Sequence, residues 1–137
     1  MLKKNCDAII IDIHGEAASE KQALANYLDG KVTAVIGTHT HVPTSDLRIL
    51  PHGTAYQTDA GMCGDYDSVI GGEKNKWIEN FLKKPGFQKI KPASINHTIC
   101  GVIIKIFEDT GLSSVAKQLI LGDILENKIP DEKLFLK

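Results

Sequence analysis

Three of the five histidines in this chain follow two segments with the composition of buried strands. His14 comes directly after residues 8–13, and His39 and His41 follow residues 32–36 after a gap of two residues. A helix between the two segments would return the chain, so we expect parallel strands that release their histidines at the same sheet edge, where open α/β sheets bind ligands. Neutral imidazole is the commonest nitrogen ligand for transition metals. The three histidines therefore predict a metal or catalytic site.

Histidines two residues apart in an extended loop usually point to opposite sides of the chain. His39 and His41 are therefore expected to bind two neighbouring ions, or one ion after a twist of the backbone. The alternative for any single histidine near a strand end is an ordinary polar residue with satisfied hydrogen bonds. His52, between a proline and a glycine, and His97, ahead of a strand, are predicted to be exposed and structural.

Carboxylates and glycines near these histidines are candidates for supporting roles. Strand alternation places Asp12 on the same face as His14, where it could orient the imidazole or simply bond a neighbouring loop. Glu16 is either a supporting carboxylate or an acid favoured by the helix dipole, and Asp59 is a third nearby carboxylate. Gly61 lies in a glycine-rich loop whose backbone could approach a phosphate. The glycine-rich loop is not followed by the Gly-Lys-Ser/Thr of a Walker A motif. The sequence also has no GxSxG, the motif of serine hydrolases.

Alternating strand-like and helix-like segments predict a layered α/β fold that brings these residues together. Residues 8–13 and 32–36 are typical of strands covered on both faces. Between them a helix is expected over residues 18–29, with a capping box formed by Ser19 and Gln22. The remaining predicted elements are strands at 46–50, 54–58, 99–107 and 114–121, a loop at 59–72, a helix at 73–84, and a poorly patterned tail at 122–137.

The length of 137 residues suits one domain, and the composition, 42% hydrophobic and 24% charged, is that of an ordinary soluble protein. A net charge of −1 gives no electrostatic argument for binding nucleic acid or an anionic membrane. No apolar run reaches the roughly 20 residues of a membrane-spanning helix. Three widely separated cysteines predict neither a disulfide framework nor a zinc site, and Cys100 is expected to be a small buried residue. We therefore expect a cytoplasmic protein.

Several sequence blocks carry a resemblance to a known family. The segment 37–41, GTHTH, resembles the last Gly-His-x-His block of the calcineurin-like metallophosphoesterases. A longer ordered set consists of DIHGEAASEK at 12–21, YLDG at 27–30, GTHTHV at 37–42, ILP at 49–51, GTAY at 53–56, TDAGM at 58–62 and YDSVIG at 66–71. Together these blocks resemble the C-terminal half of the YmdB family, which is similar to 2′,3′-cyclic nucleotide phosphodiesterases. The resemblance covers most of residues 7–121.

This resemblance implies a layered α/β/β/α metallophosphoesterase sandwich, with residues 1–137 forming a single partial domain, the C-terminal half. Carried over by position, it makes His14 and His39 ligands of one metal ion and His41 a ligand of its neighbour. It implies a binuclear centre of iron, manganese or zinc, at which a hydroxide attacks the phosphorus of a cyclic nucleotide or another phosphodiester. It assigns no catalytic residue to this chain.

The same resemblance places three further motifs, Gly-Asp, Gly-Glu-Asn and Gly-Asn-His, in a first half that these blocks do not cover. The bridging carboxylate, the second aspartate, the asparagine ligand and the catalytic histidine belong to that half. At most one metal ion is therefore expected on this chain alone. Because both halves contribute strands to one sandwich, the isolated chain is expected to be prone to aggregation or to depend on a partner, either a separately encoded N-terminal half or a second copy.

Two other functions are open at this point. A mononuclear module would use His14, His39 and His41 to bind about one ion without hydrolysing a substrate. A non-catalytic remnant would retain the histidines without a function.

Overall fold

A computed structural model of the chain describes residues 5–86, 89–131 and 133. This part of the chain forms two sheets and two helices, which confirms the predicted α/β class. The elements in chain order are β1 (Ile10–His14), α1 (Ala18–Tyr27), β2 (Ala34–Thr38), β3 (Arg48–Ile49), β4 (Ala55–Gln57), β5 (Gly64–Asp65), α2 (Lys74–Phe81), β6 (His97–Ile106) and β7 (Ser113–Gly122). None of the described helices is long and apolar enough to cross a membrane.

The first sheet has the strand order β1-β2-β4-β3. Strands β1 and β2 are parallel, in a register that places His14 opposite Thr38. This pairing confirms the predicted strand–helix–strand unit, because α1 returns the chain so that the second strand runs in the same direction as the first. Strand β4 is parallel to β2, and β3 pairs with β4 in the antiparallel direction, as expected for two strands around a tight turn.

The main core lies between this sheet and α1. Val35 and Tyr56 are fully buried and pack with Ala25 of the helix, while Leu24 and Leu28 are partly buried against them. Burying a large apolar side chain stabilises a fold by about 1.5–3 kcal/mol, so this cluster stabilises the packing of α1 on the parallel strands. Tyr27, in contrast, is 72% exposed on the outer side of the helix.

The predicted capping box of α1 is wrong. The residue that caps the helix is Ala17, which has no polar side chain and makes no side-chain cap hydrogen bond. Ser19 lies inside the first turn, where helical backbone geometry replaces the extended conformation that a capping residue needs.

Coverage on both faces is correct for β2 and wrong for β1. Strand β2 is largely buried, whereas residues of β1 alternate between exposed and half-buried, and Ile10 is 65% exposed. The reason is position: within the described residues β1 pairs only with β2 and forms an edge of the sheet. A run of β-branched apolar residues indicates a preference for the strand conformation and for burial. It does not indicate whether a second strand pairs with the other edge of β1.

The second sheet consists of β5, β6 and β7. Strands β6 and β7 form a long antiparallel hairpin, which confirms the predicted hairpin across residues 108–111. Strand β5 falls inside the predicted loop at 59–72, so that prediction is wrong for Gly64 and Asp65. A two-residue strand is too short to produce a periodic pattern in the sequence. Of the predicted tail at 122–137, residues 132 and 134–137 lie outside the described residues.

Candidate metal centre

The structure brings His14 and His39 into direct contact. His14 is the last residue of β1, and His39 directly follows Thr38, the last residue of β2. Nε2 of His14 lies 3.3 Å from Nδ1 of His39, and the two rings meet edge to face with centroids 5.1 Å apart. Both side chains are exposed at the carboxyl ends of two parallel strands, which is where the sequence places them.

Thr38 sets the tautomer of His14. The Thr38 hydroxyl donates to Oδ1 of Asp12 at 3.2 Å, so its oxygen is free to accept the hydrogen of His14 Nδ1 at 3.0 Å. His14 is then protonated on Nδ1, and the lone pair of Nε2 faces His39. Asp12 therefore acts on His14 through Thr38 and not by direct contact with the imidazole.

His41 is held separately from this pair. Its Nδ1 lies 2.9 Å from the carbonyl oxygen of Ile70, which can only accept, so His41 is protonated on Nδ1 and its Nε2 carries a lone pair. Over the described ranges, no three His, Cys, Asp or Glu side chains are gathered so that they could hold a single ion. The three predicted ligands thus consist of one contacting pair and a third histidine with a partner of its own.

The geometry of the pair fits two ligands of one ion. Metal–nitrogen bonds of about 2.0–2.1 Å place two neighbouring ligand nitrogens roughly 2.8–3.4 Å apart in tetrahedral or octahedral geometry. The His14–His39 separation of 3.3 Å lies in this range. Imidazole donors suit zinc, iron and manganese alike, so they do not select among these metals.

The loop that carries His39 and His41 has an unusual backbone. His39 has φ 151° and His41 has φ 65°, both in the positive region that residues other than glycine seldom adopt. Between them the backbone N–H of Thr40 donates to Oδ2 of Asp59 at 2.7 Å. The carboxylate of Asp59 thus contacts the loop backbone and not a histidine ring.

Lys21 was not singled out from the sequence, yet it lies directly beneath this loop. Its side chain is 1% exposed, and its ammonium group donates to the carbonyl oxygens of Thr38 at 3.0 Å and Thr58 at 3.1 Å. Oδ2 of Asp59, also 1% exposed, lies 3.8 Å away. The available signal is the position of Lys21 four residues before Ala25, inside the otherwise apolar stripe of α1.

The other candidates have local roles. Glu16 is exposed between β1 and α1. Gly61 has φ 85°, and a Cβ there would lie 2.9 Å from both Pro43 and the Tyr66 hydroxyl, so its glycine character is explained by loop packing. The His52 ring is exposed and bonds Asp29 at 2.9 Å.

Cys100 and Tyr66 form a partly buried contact near Gly61. The Tyr66 hydroxyl lies 3.2 Å from Sγ of Cys100. Burial raises the pKa of the Cys100 thiol and also raises the pKa of Tyr66. A thiol with a raised pKa is a poor nucleophile, which agrees with the predicted structural role of Cys100.

A family model described as "YmdB-like protein" matches residues 1–119. The 2′,3′-cyclic-nucleotide 2′-phosphodiesterase of Bacillus subtilis is 43% identical over 120 residues, which are 88% of this chain and 45% of that protein.

Two crystal structures are also similar. A hypothetical protein from Thermus thermophilus matches with a TM-score of 0.77 and 40% identity, over 89% of this chain and 48% of its own. A structure described as a novel phosphatase, from Mycoplasma pneumoniae, matches with a TM-score of 0.79 and 34% identity, over 99% of this chain and 47% of its own. The chain thus spans about half the length of these relatives.

Proposed function

Because the chain belongs to the YmdB-like protein family, we propose that it supplies the histidine ligands of a metal-dependent phosphodiesterase. The observation that carries this proposal is the 3.3 Å contact between His14 Nε2 and His39 Nδ1 at the carboxyl ends of β1 and β2. The name of the Bacillus subtilis relative supports a cyclic nucleotide or another phosphodiester as the substrate class.

In this proposal His14 and His39 hold one metal ion, and His41 holds a second through its Nε2. When bound, such ions supply Lewis acidity to the phosphoryl oxygens and lower the pKa of a water molecule that attacks phosphorus. The chain contributes orientation: Thr38 and the carbonyl of Ile70 fix the tautomers that leave the required nitrogens unprotonated. Iron, manganese and zinc are the candidate metals.

A partner polypeptide completes the site in this proposal. Strand β1 pairs only with β2 within the described residues, so its other edge would accept a further strand from the region of the relatives that this chain does not span. We propose a separately encoded N-terminal half as that partner. A second copy of the chain would cover the same edge but would bring no new ligand types.

The mononuclear alternative has an observation in its favour. Only His14 and His39 contact each other, while His41 is bonded elsewhere. A chain that binds one ion at this pair and hydrolyses nothing would agree with that arrangement. Both functions use the same two nitrogens, so metal stoichiometry and hydrolysis together distinguish them.

The test is elemental analysis of the purified chain, alone and mixed with the N-terminal portion of the Bacillus subtilis relative, followed by an assay with bis(p-nitrophenyl) phosphate. We expect at most one ion on the chain alone, two in the mixture, and hydrolysis only in the mixture. His39→Ala should abolish hydrolysis and metal binding at the pair, whereas the matched change His97→Ala on β6 should leave both intact.

Each other outcome has a defined meaning. One ion in both samples without hydrolysis would support the mononuclear module. No metal in either sample would contradict the proposed function and identify the chain as a non-catalytic remnant.

A further inference from the structure

Two buried charged side chains, Lys21 and Asp59, form hydrogen bonds with the backbone on either side of His39. Lys21 donates to the carbonyl oxygen of Thr38, the residue before His39. Asp59 accepts from the N–H of Thr40, the residue after His39. These two contacts leave His39 as the one residue between two anchored neighbours.

Burying the two charged groups costs desolvation free energy, which only their hydrogen bonds and mutual attraction can offset. Both side chains are 1% exposed, and removing an ammonium group and a carboxylate from water is unfavourable even when they pair. The distance of 3.8 Å between Lys21 Nζ and Asp59 Oδ2 is long for a direct hydrogen bond. Each side chain makes shorter hydrogen bonds to the backbone. The pair therefore acts mainly on the loop and less on itself.

The loop needs such an anchor because its backbone is strained. A non-glycine residue with positive φ persists only when the surrounding structure holds it there, and His39 and His41 are both of this kind. The packing beneath the loop leaves no room for a side chain at Gly37. A Cβ there would lie 1.9 Å from the Thr58 carbonyl oxygen and 2.8 Å from Cδ of Lys21. Glycine at this position lets Lys21 reach the ends of β2 and β4 together.

We propose that Lys21 and Asp59 are positioning residues that hold His39 against His14, an inference that rests on the function proposed above. Lys21 fastens the end of β2 to the end of β4 through Thr38 and Thr58. Asp59 then sets the direction of the chain after His39. The contact between His14 and His39 follows from these two constraints.

The experiment separates positioning from stability in the full 137-residue chain. It compares Lys21→Met, Asp59→Asn and the double variant, with Lys74→Met/Asp67→Asn as the matched control, because Lys74 and Asp67 form an exposed ion pair of 2.6 Å in another part of the chain. The readouts are the melting temperature, the nuclear Overhauser effect between the rings of His14 and His39, and the affinity for Mn²⁺.

Each single variant leaves one buried charge unpaired, so we expect its melting temperature to fall by about 10 °C or more. The double variant has no unpaired charge and should recover most of that loss. It should nevertheless lose the ring contact and bind Mn²⁺ roughly tenfold more weakly, because Thr38 and Thr58 have lost their common donor. The control should change none of the three.

A folded double variant that keeps the ring contact and the Mn²⁺ affinity would overturn the proposal. If the wild-type chain binds no Mn²⁺, the proposed function fails, and the ring contact alone decides whether Lys21 and Asp59 position His39. If the double variant does not fold, hydrogen exchange of the wild-type Thr40 amide decides: exchange roughly a hundredfold slower than in an open loop supports the grip by Asp59, and unprotected exchange refutes it.

Discussion

Thr38 contacts the exposed His14 through its hydroxyl group and the buried Lys21 through its carbonyl oxygen. Its hydroxyl accepts from His14 and donates to Asp12, while its carbonyl oxygen accepts from Lys21. A hydroxyl is the group that can accept and donate at once, which is what the position between an imidazole and a carboxylate requires. At this scale the orientation of His14 depends on one side-chain oxygen.

Replacing Thr38 with valine tests this dependence. Valine keeps the shape and the strand preference of threonine, so β2 should remain intact, but His14 Nδ1 loses its acceptor. On the proposed function we expect the affinity of the chain for Mn²⁺ to fall about 10–100-fold. Thr40→Val is the control, because the Thr40 hydroxyl bonds the carbonyl of Val42 and no histidine. Equal Mn²⁺ affinity in Thr38→Val and the wild type would refute this role of Thr38.

At the scale of elements, Asp46 fastens the loop before β3 to the end of β4. Its carboxylate accepts from the hydroxyl groups of Thr44 and Thr58, each at 2.6 Å, and from the backbone N–H of Thr58 at 3.1 Å. Burial alone would raise the pKa of Asp46, but these hydrogen bonds to the ionised form outweigh it and lower the pKa below its ordinary value.

The sign of this shift predicts acid sensitivity. A lowered pKa in the folded state stabilises the fold above the unfolded pKa of about 4, and this contribution is lost as the pH falls further. Asp46→Asn should lower the free energy of unfolding at pH 7 by about 1–2 kcal/mol and flatten its decline below pH 4. Urea unfolding between pH 7 and pH 3 measures both effects, with the exposed Asp109→Asn as control. An unchanged pH profile in Asp46→Asn would rule this explanation out.

At the scale of the whole molecule, buried polar groups join the two sheets. The Thr33 hydroxyl donates to the carbonyl of Gly111 at 2.6 Å, and the Ser113 hydroxyl donates to the carbonyl of Thr33 at 2.8 Å. Both side chains are nearly inaccessible to water, so each of these hydrogen bonds replaces one that solvent can no longer provide. The hairpin of β6 and β7 is attached to the parallel sheet partly through these bonds.

Neighbouring serines provide a matched test of this attachment. Ser113→Ala leaves the buried Thr33 carbonyl without the hydroxyl donor and should lower the free energy of unfolding by about 1–2 kcal/mol. Ser114→Ala removes a more exposed bond to Lys105 and should cost less than about 0.5 kcal/mol. Chemical denaturation measures both variants. Equal losses would show that the junction between the sheets does not depend on Ser113.

Features that depend on residues close together in the sequence are predicted more accurately than features that depend on contacts between distant segments. The hairpin strands β6 and β7 and the helix α1 are ten residues long each, and the predicted segments lie close to their observed bounds. The two-residue β5 has no such pattern, and the exposed edge at β1 depends on which strands are present beside it. Local periodicity predicted the elements, and neighbours decided how each one is covered.

From the sequence alone one can infer that His14 and His39 lie at the carboxyl ends of two parallel strands, at the same sheet edge, because strand composition and a connecting helix impose the direction of both strands. The packing of the folded chain is needed to show that these two rings are in contact, that His41 bonds Ile70, and that Lys21 is buried under the loop. Lys21 reaches partners 17 and 37 residues away. Such contacts depend on how segments pack in space, and the spacing of residues along one segment carries no record of them.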